Sequence, residues 1–367
     1  MALWWGITRV LLRRASTQAS LEPAAVVNRA NSLLQRWDLE AAKAFLTELK
    51  GVRDHLSSQT ISPLLSVVRR YRLEGGELLE AWENQLLSLA DLTLVGMYLG
   101  QMTGGKLRSF CGRLDTQLRA REVSGTAEGL LSLLTGLARA NTKCRFSEPA
   151  YTAVFEAVKR GDFDMHQKAN LVYLATKSSL SLVPLAQLLT DFHSFFLTNA
   201  QDLTSKERAY VVYAYSLFPL ECSEAVIAKA IQNIPISTLT TLDFVFILNG
   251  LARFPIPGDS SLFKEAENYF LAHKGLPDSK LALTIHAFAK RNQGSEALFQ
   301  FFQQSFQQAD LWPLQSAQIV CSFLRSSYTA QDFRLHLVKR VPALTAQLEL
   351  PEKLREALQY WSKLHSS

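Results

Sequence analysis

Apolar residues recur along this 367-residue chain in short stripes that resemble one another. LLSLLTGLAR at 130–139, ANLVYLAT at 169–176, AYVVYAYS at 209–216, FVFILNGLAR at 244–253, LALTIHAFAK at 281–290 and AQIVCSFLR at 317–325 share one form. Each is an apolar run that closes on a small residue, a large residue, a small residue and often a base. Aligned on Ala138, Ala175, Ser216, Ala252, Ala289 and Leu324, the segments stand 37, 41, 36, 37 and 35 residues apart, an interval that chance similarity does not keep. LTLVGMYLG, ending at Gly100, adds a copy 38 residues upstream, and SPLLSVVRRYRL from Ser62 is a weaker, terminal one.

Within a segment the period is that of an α-helix. Leu130, Leu133, Leu134 and Leu137 stand at i, i+3, i+4 and i+7, and Phe244, Ile247, Leu248 and Leu251 repeat the pattern. A second helix is expected in each unit, for example at 223–234 and 262–273. Thr204 and Glu207 have the spacing of a capping box, Pro63 and Pro313 suit first-turn positions, and Ser147 and Ser223 suit N-caps. The breakers at 254–258 and 275–278 fall between helices. A lone helical hairpin cannot bury its apolar face, so such units come in arrays. Small residues at Ala138, Ala175, Ala252 and Ala289 are expected to let one hairpin approach the next. The fold expected is all-α: an α-solenoid of about eight helical hairpins with a period near 37 residues. An N-terminal helical cap at 22–60 precedes the array at 61–341, and a terminal helix at 352–364 caps it within 342–367.

Composition narrows the function. No apolar run reaches the ~18 residues needed to cross a bilayer, and Cys111, Cys144, Cys222 and Cys321 form no CxxC pair. No two histidines lie within five residues of each other, so neither a metal centre nor a cofactor is expected. The first 21 residues hold Arg9, Arg13 and Arg14, no acid, and Ser16, Thr17 and Ser20, which is the composition of a mitochondrial presequence directing the chain to the matrix. Those arginines are three of the net +6 charges, leaving 36 bases against 33 acids. Any nucleic-acid site must therefore come from the arrangement of charges rather than from their excess.

GLARANTKCRFSEP at 136–149, GLARFPIP at 250–257 and AFAKRN at 287–292 resemble the helical repeats of octotricopeptide and FAST-kinase-like, RAP-associated organelle RNA factors. The resemblance spans roughly 61–341. It implies a solenoid that binds RNA or protein inside mitochondria or plastids. Many members end in a RAP domain; the 26 residues from Pro342 are too few for one, so no nuclease-like activity is carried over.

Candidate chemistry is sparse. Residues 100–106 spell GQMTGGK, formally GxxxxGK, but Leu107 stands where Ser or Thr would hold Mg²⁺, and the register makes these glycines a hairpin turn. Hydrolase and kinase signatures are lacking, so no enzyme is expected. Arg139, Arg253, Lys290 and Arg325 close the repeated segment at equivalent positions, with Lys143, Lys177 and Arg291 nearby. Lined up along a solenoid they could track the phosphates of single-stranded mitochondrial RNA; alternatively they complement helix C-terminal dipoles. In 299–308, FQFFQQSFQQ, the residues Phe299, Phe302 and Phe306 read as a core stripe. Phe301, Gln304 and Gln308 are left as a candidate surface for a subunit of a mitochondrial ribonucleoprotein or respiratory complex.

Overall fold

A computed structural model describes residues 23–36, 38–49, 58–71, 83–84, 86–102, 104–140, 144, 146–177, 182–218, 220–273, 275–347 and 350–365. The presequence reading at 1–21 and Lys143 lie outside the described residues.

Among the described residues there are eighteen α-helices and no strand. They are α1 Pro23–Gln35, α2 Leu39–Leu49, α3 Ser58–Arg70, α4 Leu92–Gln101, α5 Gly104–Ala120, α6 Ala127–Ala140, α7 Glu148–Arg160, α8 Met165–Lys177 and α9 Leu182–Asn199. These are followed by α10 Ser205–Leu217, α11 Ser223–Ile231, α12 Thr241–Arg253, α13 Ser260–His273, α14 Asp278–Arg291, α15 Glu296–Gln308, α16 Pro313–Arg325, α17 Gln331–Gln347 and α18 Glu352–Leu364. The six repeated segments fall on α6, α8, α10, α12, α14 and α16. The described residues form two compact units, one made of those within 1–167 and 174–185 and the other of those within 168–173 and 186–367.

In the first unit α1 packs on α3, α4 on α6, and α5 on α7. The α4–α6 crossing is a backbone contact. A β-carbon on Gly136 would stand 2.7 Å from Gly96 Cα, and one on Gly96 would stand 2.7 Å from Leu133 N. Ser132 Oγ donates to Thr93 O across the same crossing at 3.0 Å. Ala138, expected at the crossing, is only half-buried; the glycine two residues before it makes the approach, because only a residue without a side chain fits there. Helix α4 ends at Gln101 and α5 begins at Gly104, so the GxxxxGK match spans the end of one helix and the start of the next. Glu83, 5% exposed, takes the Tyr98 hydroxyl and the Arg113 guanidinium, which satisfies its charge.

In the second unit α10, α12, α14, α16 and α18 pack in sequence, with α13 against α15 alongside. From α12 to α18 each helix of that row packs on the one two places before it, the stacking of an α-solenoid. Helices α10 and α12 are buried nearly all round, over 207–216 and 243–252. Capping boxes start both: Thr204 with Glu207, and Thr240 with Asp243. Buried Arg208 is satisfied by carbonyls, donating through Nε to Ala230 O at 2.6 Å and through Nη2 to Gln232 O.

Three local expectations change. Pro63 lies inside α3, whose first turn begins at Ser58; the buried stripe Ile61, Leu64, Leu65 and Val68 carries the helix across the missing N–H. Ser223 is the first residue of α11 and Cys222 the N-cap. The Ser223 hydroxyl instead donates to Phe218 O at 2.8 Å and accepts from Leu220 N at 3.0 Å, closing the preceding turn. The array boundary drawn at 341 falls inside α17, which runs through Pro342 to Gln347.

Candidate functional site

The C-terminal ends of α12, α14 and α16 carry Arg253, Lys290 and Arg325 in their last turns. Because these helices pack successively at the 8–10 Å typical of neighbouring helices, equivalent positions fall side by side. The residues four before the bases, Asn249, His286 and Cys321, continue the same helix faces. Helix α14 stops where it does because Asn292 takes a left-handed conformation, φ 50°, and Gln293 N then donates to Phe288 O at 3.0 Å.

Arg253 is exposed and reaches back along the row, donating through Nη1 to Ser216 O at 2.9 Å in the last turn of α10. Asn249 Nδ2 donates to Ser216 Oγ at 3.4 Å below it. Lys290 is half-buried and Arg325 exposed. Among the described residues neither forms a hydrogen bond or an ion pair, and Arg253 forms no ion pair. Arg291 is different: its Nη2 lies 2.9 Å from Oδ2 of Asp259, which is 4% exposed, so it braces the connection between α12 and α13.

The three cations sense one another. Burial, then Arg253, Arg325 and Arg291, pushes the Lys290 ammonium below its ordinary range. Loss of surrounding solvent, then Lys290, Arg325 and Arg253, holds the His286 imidazole neutral down to about 4. Burial raises the Cys321 thiol to about 11 against the opposing pull of Arg325. The face is thus cationic at its helix ends and neutral one turn below. Like charges one helix spacing apart repel by roughly 0.5–2 kcal/mol per pair, a cost that an anion between them would relieve.

Beside this cluster lie tyrosines that the sequence pattern did not single out. Tyr173 and Tyr210 stack at 4.0 Å between centroids, Tyr213 lies 4.4 Å from Phe246, and Lys206 and Lys280 sit over Tyr210 and Phe246 at 5.7 and 5.8 Å. The signal was present in AYVVYAYS, where Tyr210 and Tyr213 share the helix face of the repeated base position.

The remaining predicted residues divide as follows. Arg139 and Lys177 belong to the first unit. Arg139 is exposed at the end of α6, its Nη1 3.1 Å from where a β-carbon of Gly100 would stand. Lys177 is half-buried in the last turn of α8, and burial lowers its affinity for a proton. On α15, Phe299, Phe302 and Phe306 are core, Phe301 is half-buried, and Gln304 and Gln308 are exposed. A cleft of about 370 Å³ opens nearby, lined by Phe306, Asp310, Ser316, Phe333, His336 and Arg340 among others. Next in sequence to Leu311 on its wall stands Trp312, 78% exposed.

No family model and no curated protein matches the chain. Among the described residues no helix is long and apolar enough to cross a membrane.

Proposed function

We propose that this chain is a non-catalytic mitochondrial helical-repeat protein that binds single-stranded RNA, serving organelle RNA processing, stability, editing or translation. The observation that carries the reading is the row Arg253, Lys290 and Arg325, three cations on successive packed helices with no acid paired to any of them among the described residues. Phosphates supply the missing anions, and the release of their counterions supplies sequence-independent affinity. The resemblance of GLAR at 136–139 and 250–253 to octotricopeptide and FAST-kinase-like repeats agrees with it, as does the arginine-bearing, acid-free start of the chain.

The test is the triple change Arg253→Gln, Lys290→Gln and Arg325→Gln, with single-stranded RNA affinity measured by anisotropy across a salt series. Affinity should fall for every sequence, and the log–log salt slope should flatten by about 0.7 for each phosphate no longer neutralised, roughly 2 in all. Unchanged affinity at low salt in a folded variant would sink the reading.

A second reading has its own observation. Trp312 and Leu314 are exposed at the start of α16, next in sequence to a cleft lined by Phe306 and Phe333 together with Asp310, His336 and Arg340. Large apolar side chains left in solvent beside a polar cleft suit a protein neighbour, as in a structural subunit or assembly factor of a mitochondrial ribonucleoprotein or respiratory complex. Trp312→Ser should then release that neighbour while leaving RNA affinity intact.

A further inference from the structure

The row of bases differs from an ordinary phosphate-tracking stripe in its charge balance. A phosphodiester carries one charge, and a stripe that follows a strand spaces its cations along it. Here the positive charge is concentrated around a neutral centre: His286 on α14 feels Lys290 from its own helix, Arg253 from α12 and Arg325 from α16. Cys321 from α16, which feels Arg325 as Lys290 does, stays a neutral thiol, and burial likewise raises the Tyr213 phenol on α10 against the opposing pull of Lys280 and Arg253. Arg291, the fourth base at these helix ends, is offset by Asp259.

The charge balance then points to one kind of ligand. The three cations sit at three helix C-termini, each worth roughly half a negative charge, which leaves about +1.5. A phosphate monoester near neutral pH carries about −1.5 to −2. A single diester seated among the three would leave the cluster under-neutralised.

From the placement of Arg253, Lys290 and Arg325 around His286 on three successive helices, we infer that this face is a seat for a phosphate monoester: the terminal phosphate of an RNA strand or the phosphate of a free mononucleotide. Arg253 keeps its bond to Ser216 O and offers the remaining guanidinium N–H groups, while Lys290 and Arg325 bring donors committed to no other group among the described residues. The imidazole gains a favourable partner only once the dianion arrives, so binding draws a proton towards His286. The strand-end form of this inference rests on the RNA reading; the seat itself does not.

The experiment uses the full chain and four probes: a ten-nucleotide oligoadenylate with a 5′-phosphate, the same with a 3′-phosphate, the same with hydroxyls at both ends, and AMP. One of the phosphorylated strands should bind about tenfold more tightly than the dihydroxyl strand, the factor that one additional charge-assisted hydrogen bond supplies. That preference should vanish in Lys290→Gln/Arg325→Gln and survive in Arg325→Lys, which keeps the charge if the double variant folds poorly. The His286 ring resonance, followed by NMR through a pH titration, should move to a higher midpoint with the preferred probe. Equal affinity for all three strands overturns the seat and leaves the RNA reading standing. AMP binding with a shifted His286 midpoint but no strand binding supports the seat and removes the RNA reading. Binding of none of the four overturns both.

Discussion

Helices α4 and α6 in the first unit and the row α10 to α16 in the second stack through the same position of the repeated segment but with different atoms. In α6 that position is Gly136, whose missing β-carbon lets backbone meet backbone at Gly96. In α12 it is Gly250, which faces the Cγ1 methyl of Val212, and in α14 and α16 it is Ala287 and Ser322, both buried. The bases that follow differ in parallel. Arg139 lies over Gly100, and Arg253 is bonded to Ser216 O, so both reach the C-terminal end of the preceding helix. Lys290 and Arg325 make no such bond among the described residues. The repeated base therefore differs between copies: Arg139 and Arg253 also reach the end of a neighbouring helix, Arg253 with one guanidinium N–H, while Lys290 and Arg325 are committed to no other group among the described residues.

Substitution at the glycines should separate the two regions most widely. Gly136→Ala pushes a methyl into backbone, which cannot rotate aside, and should lower stability by about 2–3 kcal/mol despite the better helix propensity of alanine. Gly250→Ala meets a side-chain methyl and should cost about 1 kcal/mol or less. Urea denaturation of both variants reads the difference, and equal losses would show that the α4–α6 crossing is no tighter than α10–α12. Next in size, Thr240→Ala removes the hydroxyl that starts α12 and should cost about 1 kcal/mol. Arg253→Gln should cost about 0.5–1 kcal/mol through its lost carbonyl bond, whereas Arg325→Gln should stay within about 0.5 kcal/mol of the parent; melting curves that rank them the other way would reverse their assigned roles.

The smallest effect is with pH. The His286 midpoint is about 4 in the folded chain, against about 6.5 when unfolded. Between those values the unfolded chain binds more protons, so stability should be full above pH 6.5 and decline as pH falls towards 4. His286 keeps part of its surface in solvent although its neighbours strip much of its hydration, so screening holds the decline to roughly 0.5 kcal/mol. His286→Gln should remove that component, and a melting profile that keeps its slope would place the acid sensitivity elsewhere.

Much of the scaffold was legible because its signals are local. Six apolar segments landed on six helices, and the Thr204–Glu207 box formed as its spacing requires. The departures share a cause. Ser147 is the N-cap that its position suggests, but it makes no side-chain cap bond; its N–H goes to Asp115 Oδ1 at 2.6 Å. Ser223 closes the turn before its helix, and Gly136 rather than Ala138 makes the crossing. Each choice depends on a neighbour 5 to 40 residues away, and a short window does not contain it. At the site, sequence placed the bases in one register but could not separate Arg291, which Asp259 occupies, from Lys290, to which no acid is paired among the described residues. It also passed over the tyrosines, whose importance lies in what stands beside them.

The nearly complete burial of α10 and α12 bears on how the second unit opens. A helix whose residues are covered on every side cannot fray towards solvent without lifting its neighbours, so amides of 209–216 and 244–252 should exchange with deuterium only through the largest opening the unit undergoes. The connection at 254–259 is more exposed and lacks such cover, with Pro255, Pro257 and Gly258 at the surface. A protease should cut there first and still release two fragments that stay together, because the strongest internal surface of the unit lies on the helices that the cut leaves whole.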